Sequence, residues 1–121
     1  MNPTQELLET PLELLLAAAR TPLERVDTMV RRANAEMDHG DVERGTQIAQ
    51  EAVVLARESC PQAARQRVLS LLCFLRTAPE NAEALLGEAH AVADTADEPQ
   101  LVTAIAHAAR TLGVPLPIHV F

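Results

Sequence analysis

Apolar residues recur along most of this chain at alternating steps of three and four, which is the spacing of one face of an α-helix. Comparable stripes occupy residues 22–38, 42–58, 79–95 and 99–112. In the first of these the apolar positions are Leu23, Val26, Val30, Ala33 and Met37. The pattern predicts an all-α protein.

Two further segments complete a set of six. Residues 61–76 contain the run Val68 to Leu75, which is apolar almost all the way round. Such a helix is surrounded by others, so we expect it at the centre of the domain. Residues 5–20 form the first segment, with a break at Pro11 because the residue before a proline is pushed out of the helical conformation. The two prolines in residues 114–121 predict an extended tail, which we expect to lie in a groove.

Five short motifs mark where segments begin. In each, a Ser, Thr or Asp precedes a Glu or Gln by three residues, with a proline between them. This arrangement is typical of a capping box, in which the first side chain accepts a hydrogen bond from a free backbone N–H. The motifs are Thr10-Pro11-Leu12-Glu13, Thr21-Pro22-Leu23-Glu24, Ser59-Cys60-Pro61-Gln62, Thr77-Ala78-Pro79-Glu80 and Asp97-Glu98-Pro99-Gln100. Gly40-Asp41 is a sixth start.

The predicted starts are regularly spaced. Those at Thr21, Asp41, Ser59, Thr77 and Asp97 are separated by 20, 18, 18 and 20 residues, so pairs of helices recur every 38 residues. A period of this size is typical of helical repeat proteins, in which each pair covers the apolar face of the next.

Small residues within these pairs resemble the pattern of the tetratricopeptide repeat. They are Ala33, Gly45, Ala49 and Ala52 in the first unit and Ser70, Ala82, Leu86 and Ala89 in the second. The resemblance covers residues 22–112 and implies a short α-solenoid of stacked antiparallel pairs, closed by the sixth segment as a capping helix. Met29 stands where the family has a bulky aromatic residue, and Arg32 and Glu36 occupy positions that are usually apolar. A five-helix or six-helix bundle is the alternative.

The resemblance divides the chain into three parts: an N-terminal helical segment (1–20), the repeat domain (21–113) and the tail (114–121). It also implies that a peptide or helix of a partner protein binds in a groove lined by the first helix of each pair. The groove positions are Asp27, Val30, Asn34, Met37, Asp38, Arg67, Leu71, Phe74 and Leu75. The alternative for Leu71, Phe74 and Leu75 is a place in the core.

A second hypothesis concerns the leucine-rich first segment. On so small a domain a leucine-rich surface has to be covered, either by the chain itself or by another copy of it. A self-associating bundle would bury these residues between two copies: Leu7, Leu8, Leu12, Leu15 and Leu16.

Charge narrows the choice of partner. The 121 residues carry a formal charge of −7, which disfavours nucleic acid and anionic membranes because both require a concentrated basic surface. A secretory signal is not expected, since Glu6, Glu9 and Glu13 precede the apolar run of residues 14–19. No stretch reaches the roughly 20 apolar residues of a membrane span. We therefore expect a cytoplasmic protein.

Candidate chemistry is sparse. Cys60 and Cys73 lack the spacing of metal ligands, and the chain contains no nucleophile motif or phosphate-binding loop. Glu36 and His39 form a single Glu-x-x-His motif, whereas a di-iron site in a helical bundle uses two of them. We expect neither catalysis nor a metal or other cofactor. A ligand-binding or metal-binding bundle that uses His90 and His107 is the weaker alternative.

Overall fold

The computed structural model describes residues 7–114, which form α-helices and one 3₁₀ turn and contain no strand. The all-α prediction is confirmed. Residues 115–121, the predicted tail, lie outside the described residues. The helices are α1 (Leu12–Ala18), α2 (Pro22–Asp38), α3 (Val42–Ser59), α4 (Ala64–Leu75), α5 (Ala82–Ala96) and α6 (Pro99–Leu112), and the 3₁₀ turn Pro79–Asn81 precedes α5. Residues 7–9 are also helical, and the predicted break falls at Pro11.

Two predicted caps hold the starts of α2 and α3. The Thr21 hydroxyl accepts a hydrogen bond from the Glu24 N–H at 3.1 Å. The Glu24 carboxylate reaches back to the N–H of Arg20 at 2.7 Å, one residue earlier than a capping box requires. Asp41 caps α3 by accepting from the Arg44 N–H at 3.1 Å. These bonds satisfy backbone donors that a helix start leaves free.

Three of the other four cap predictions are wrong. Ser59 is the last residue of α3, and Pro61 lies in a turn closed by a bond from the Ala63 N–H to the Cys60 carbonyl, so α4 begins only at Ala64. Thr77 is hydrogen-bonded to the Thr46 hydroxyl at 2.6 Å and caps no helix. Asp97 ends α5 in the left-handed conformation, at φ 56°. α1 starts behind Pro11, and the cap predicted at Thr10 stays a prediction.

Neighbouring helices pack in chain order, and two further contacts skip one helix. α2 touches α4, and α4 touches α6, so α4 contacts α2, α3, α5 and α6. Three of its side chains, Val68, Leu71 and Leu75, are almost completely buried. The predicted central position of this segment is thereby confirmed. This order of contacts is compatible with stacked helix pairs, although membership of the repeat family stays a prediction.

The core has two main clusters, one at each end of the domain. One joins α4, α5 and α6 around Leu71, Leu86 and Ile105. The other joins α1, α2 and α3 around Met29 and Ile48. Phe74 packs against both and so connects them.

Helices α2 and α3 are in close contact at Gly45. A Cβ atom built on this glycine would lie 2.6 Å from Met37 Cγ and 2.8 Å from the carbonyl oxygen of Ala33. The second atom belongs to the backbone of a helix and cannot move aside cheaply. Gly45 therefore sets the distance between the two helices.

We expect Gly45→Ala to destabilise the fold by about 1–3 kcal/mol, because overpacking outweighs the roughly 1 kcal/mol that alanine gains in helix propensity. Urea unfolding measures this difference. Gln47→Ala, at an exposed position of the same helix, serves as the control and should leave the midpoint nearly unchanged. An equally stable Gly45→Ala variant would contradict the close approach.

A buried arginine attaches the N-terminal segment to α2. The Arg32 guanidinium pairs with the Glu36 carboxylate at 3.2 Å and donates to two backbone carbonyls, those of Leu7 (2.9 Å) and Thr10. Arg32 is 8% exposed. Its charge is tolerated in the interior because each side of the guanidinium has an acceptor. These bonds account for the presence of two charged residues on the packed side of α2.

Replacing Arg32 by alanine should cost about 2–4 kcal/mol, since Glu36 and the two carbonyls lose their donor. The neighbouring Arg31→Ala is the matched control, because Arg31 is exposed and has no hydrogen-bond partner within residues 7–114. Hydrogen exchange should also speed up in residues 12–18 of the Arg32 variant alone. Equal effects of the two substitutions on the unfolding free energy would disprove this anchoring role.

Candidate functional site

Helices α2 and α4 lie side by side and run parallel. Gln66 Nε2 donates to Asp27 Oδ1 at 3.4 Å, Cys73 Sγ lies 3.5 Å from Asn34 Oδ1, and Arg76 Nη2 donates to Asp38 Oδ1 at 2.8 Å. The paired residues are 39, 39 and 38 positions apart in the chain. Their numbers rise together along both helices, which establishes the parallel direction.

One strip of each helix remains open to solvent beside this contact. We call the two strips together the open face. None of its members is buried, and they follow one another at helical steps of three and four. The open face consists of Glu24, Asp27, Arg31, Asn34 and Asp38 on α2, and Arg65, Leu69, Leu72 and Arg76 on and just after α4.

The α4 half of the open face is apolar in its middle and cationic at its ends. Leu69 and Leu72 are half-buried, and Arg65 and Arg76 flank them. Part of the Leu72 side chain packs against the core cluster around Leu71. Arg76 bridges the two helices by donating to Asn34 Oδ1 at 2.7 Å as well as to Asp38. Arg65 makes no hydrogen bond or ion pair with any described residue. The strip therefore offers two leucines and one unpaired guanidinium to a binding partner.

At one end the open face continues into a pocket of about 350 Å³ between α1 and α2. Asp27 and Arg31 of the open face are among its lining residues, and the opposite wall is formed by Leu15 and Ala18 of α1 and by Ala19 directly after it. The N-terminal segment thus adds an apolar edge to the surface formed by α2 and α4.

The predicted groove residues of α2 are only partly on this surface. Asp27, Asn34 and Asp38 belong to the open face. Val30 is half-buried against the core, and Met37, 7% exposed, packs in the cluster around Ile48. Met37 is therefore not accessible to a partner in this structure.

The predicted groove residues of α4 point elsewhere. Leu71 and Leu75 are at most 2% exposed and Phe74 packs against both core clusters, so the core alternative describes them better. Arg67 lies against α5, where it pairs with Glu88 at 3.3 Å. The solvent-facing positions of α4 are instead Arg65, Leu69, Leu72 and Arg76. Sequence reasoning missed them, because a run that is apolar almost all the way round does not indicate which of its sides faces solvent.

The leucines predicted to mediate self-association are largely covered by other residues of the same chain. Leu12 is 8% exposed and belongs to the core cluster around Met29, and Leu16 packs against the same cluster. Leu7, Leu8 and Leu15 are half-buried. Among residues 7–114, the most exposed large apolar residue is Leu14, at 62%, which the prediction did not include.

Three charged residues form ion pairs on the side of α4 that faces α5. Glu88 on α5 is paired with Arg57 of α3, Nε to Oε2 at 2.9 Å, and with Arg67. The hydrogen bonds from Arg57 lower the pKa of the Glu88 carboxyl against the opposing effect of burial. Arg67 and Glu88 also line a pocket of about 380 Å³ at the start of α4. The three residues connect helices α3, α4 and α5.

The side chains that were candidates for metal ligands or reactive thiols are either hydrogen-bonded or buried within the fold. Glu36 is occupied by Arg32, and the ring Nδ1 of His39 lies 3.1 Å from the Ala35 carbonyl oxygen. Among residues 7–114 no three His, Cys, Asp or Glu side chains come together as metal ligands would. Cys60 and Cys73 are buried and not disulfide-bonded, and burial raises the pKa of the Cys73 thiol to about 11.

No family model, curated protein or solved structure matches this chain. Within the described range, no helix is both long enough and apolar enough to cross a lipid bilayer.

The ion pairs of Glu88 make the unfolding free energy of the protein depend on pH. The pKa of the Glu88 carboxyl is lower in the folded state than in the unfolded state, so its ion pairs stabilise the protein at neutral pH. This contribution disappears as the pH falls through the folded-state pKa. We expect Glu88→Gln to be less stable than wild type at pH 7, with the gap narrowing below about pH 4. Urea unfolding across this range measures the gap. Glu83→Gln, exposed on the same helix, should show no such trend; a constant gap for Glu88→Gln would contradict the shift.

Proposed function

We propose that this protein is a non-catalytic interaction module, an adaptor or regulator that binds a peptide or helix of a partner protein on the open face. The observation that carries the proposal is the strip of α4 on which Arg65 and Arg76 flank Leu69 and Leu72. A cytoplasmic setting belongs to the same proposal.

The physical argument starts from what a partner would gain. Covering a half-buried leucine contributes on the order of 1 kcal/mol, and two adjacent leucines provide an apolar centre. Arginine is among the residues that most often dominate binding energy, since its stem packs on apolar surface while its guanidinium forms hydrogen bonds. A small apolar centre with a charged border is the usual composition of a protein interface.

The helical arrangement supports the same function. Parallel helices that touch side by side leave a shallow channel along their line of contact, in which a short segment can lie. In the resembled family the first helices of successive pairs line such a channel. The contacts between α2 and α4, and between α4 and α6, are compatible with that arrangement.

Self-association is the second candidate, and the exposure of Leu14 favours it. An isolated surface leucine is common in monomers, so this observation is weaker than the strip on α4. Light scattering distinguishes the two: a monomer supports the interaction module, whereas a dimer that Leu14→Gln converts to a monomer supports self-association.

A peptide library displayed on phage tests the proposal directly. We expect the immobilised protein to select peptides whose affinity, measured by fluorescence anisotropy, falls roughly tenfold with Leu69→Gln. The control is Val54→Gln, which makes a similar change at an exposed apolar residue of α3 and should leave the affinity unchanged. Failure to select any peptide, or equal losses with both variants, would overturn the proposal.

A further inference from the structure

We infer that residues 7–18, which we call the strap, open from the folded domain as one unit, and that the surface beneath them then accepts the same segment of a second copy of this chain. The strap covers α2 and α3 at the core cluster around Met29 and Ile48, on another side of α2 from the open face. The inference therefore does not rest on what binds the open face.

The strap is attached by a small set of contacts. α1 has seven residues, and Leu12 is the one among them that is buried. Leu16, one helical turn later, packs against the same cluster as Leu12. Arg32 adds its hydrogen bonds to the carbonyls of residues 7 and 10. A helix this short is not stable in isolation, so the strap loses its structure as a whole when these contacts open.

The rest of the domain has a core of its own. α2 and α3 contact each other directly at Gly45, and α4 packs against α2, α3, α5 and α6. The hydrogen bond that caps α2 joins Thr21 to the Glu24 N–H and does not involve the strap. Opening of the strap therefore requires less free energy than unfolding of the domain.

The hinge of the strap lies in residues 19–21. Ala19 and Thr21 are extended, with φ values of −79° and −130°. Because Pro22 disfavours the helical conformation at Thr21, α1 and α2 do not merge into one longer helix. A rotation at Ala19 moves the strap away from α2 and leaves the α2 cap intact.

Opening uncovers an apolar surface with a guanidinium at its edge. Part of the core cluster around Met29 and Ile48 loses the cover of the two strap leucines. Arg32 keeps its ion pair with Glu36 but loses both carbonyl acceptors. The uncovered surface therefore fits a segment that supplies two leucines one helical turn apart and two main-chain carbonyls.

The contacts of the strap itself identify the occupant. Residues 7–18 of a second copy present the same leucines and the same carbonyls, so each contact within one chain can be remade between two chains. Exchange of an identical segment needs no new interface. Within one chain the short hinge keeps the effective concentration of the strap in the millimolar range, so exchange becomes measurable only as the protein concentration approaches that range.

A fluorescently labelled synthetic peptide of residues 7–18, added to the full-length protein, tests this inference. We expect weak binding to wild type and roughly tenfold tighter binding to Leu12→Gln, because the strap of that variant competes less with the peptide. The same substitution in the peptide should weaken binding roughly tenfold. Leu14→Gln, at an exposed position of the same helix, is the matched control and should change nothing in either molecule.

Hydrogen exchange of the wild-type protein measures the opening itself. Protection factors in residues 12–18 should be at least roughly tenfold lower than those of the buried amides of α4. Equal protection would show that the strap opens only when the whole domain unfolds, and would overturn the inference. If Leu12→Gln also lowers the protection of α4, Leu16→Gln replaces it in the peptide experiment.

Two further outcomes would contradict the inference. Equal binding of the peptide to wild type and to Leu12→Gln would show that it uses another surface. At about 1 mM protein, light scattering should detect a dimer that Leu12→Gln weakens and Leu14→Gln leaves intact. A wild-type chain that stays monomeric at this concentration would exclude a second copy as the occupant.

Discussion

The short distance between α2 and α3 at Gly45 is the constraint on which the remaining arrangement depends. With no side chain at this position, the backbone of α3 rests against Ala33 and Met37, and Ile48 and Ala52 reach the interior on the same side. One face of α2 is thereby covered by α3. Its other faces are left for the N-terminal segment and for α4, and the order of packing follows from that division.

The central position of α4 explains why the candidate site is narrow. Four helices contact α4, so its apolar surface is covered except for one strip, and the partly exposed leucines are confined to that strip. Charged residues border the covered surface on both sides. Arg76 connects α4 to α2, and Arg67 connects it to α5, which restricts rotation of α4 about its own axis. The exposed strip is consequently held in a fixed orientation, a condition for selective binding.

The sequence predicted the helices well and the site poorly, for physical reasons that differ from element to element. α2 and α6 occupy the predicted residues because their apolar residues recur on one side of the helix and a glycine lies shortly after each of them. α4 starts three residues late, since Pro61 suits a turn as well as a helix start. Its exposed side could not be predicted, because a helix that is apolar all round has no phase to indicate which face is uncovered. The partner of Leu12 could not be predicted, since nothing in the pattern indicates whether the chain folds back on itself or packs against another copy.

The attachment of the N-terminal segment through Arg32 has a consequence for how this chain can vary. The acceptors at positions 7 and 10 are main-chain carbonyls, which every amino acid possesses. The side chains at those two positions can therefore change without loss of the two hydrogen bonds, while the guanidinium itself has no substitute of the same shape. Related sequences that keep this architecture should therefore retain the arginine, whichever side chains they carry at the two residues to which it is bound.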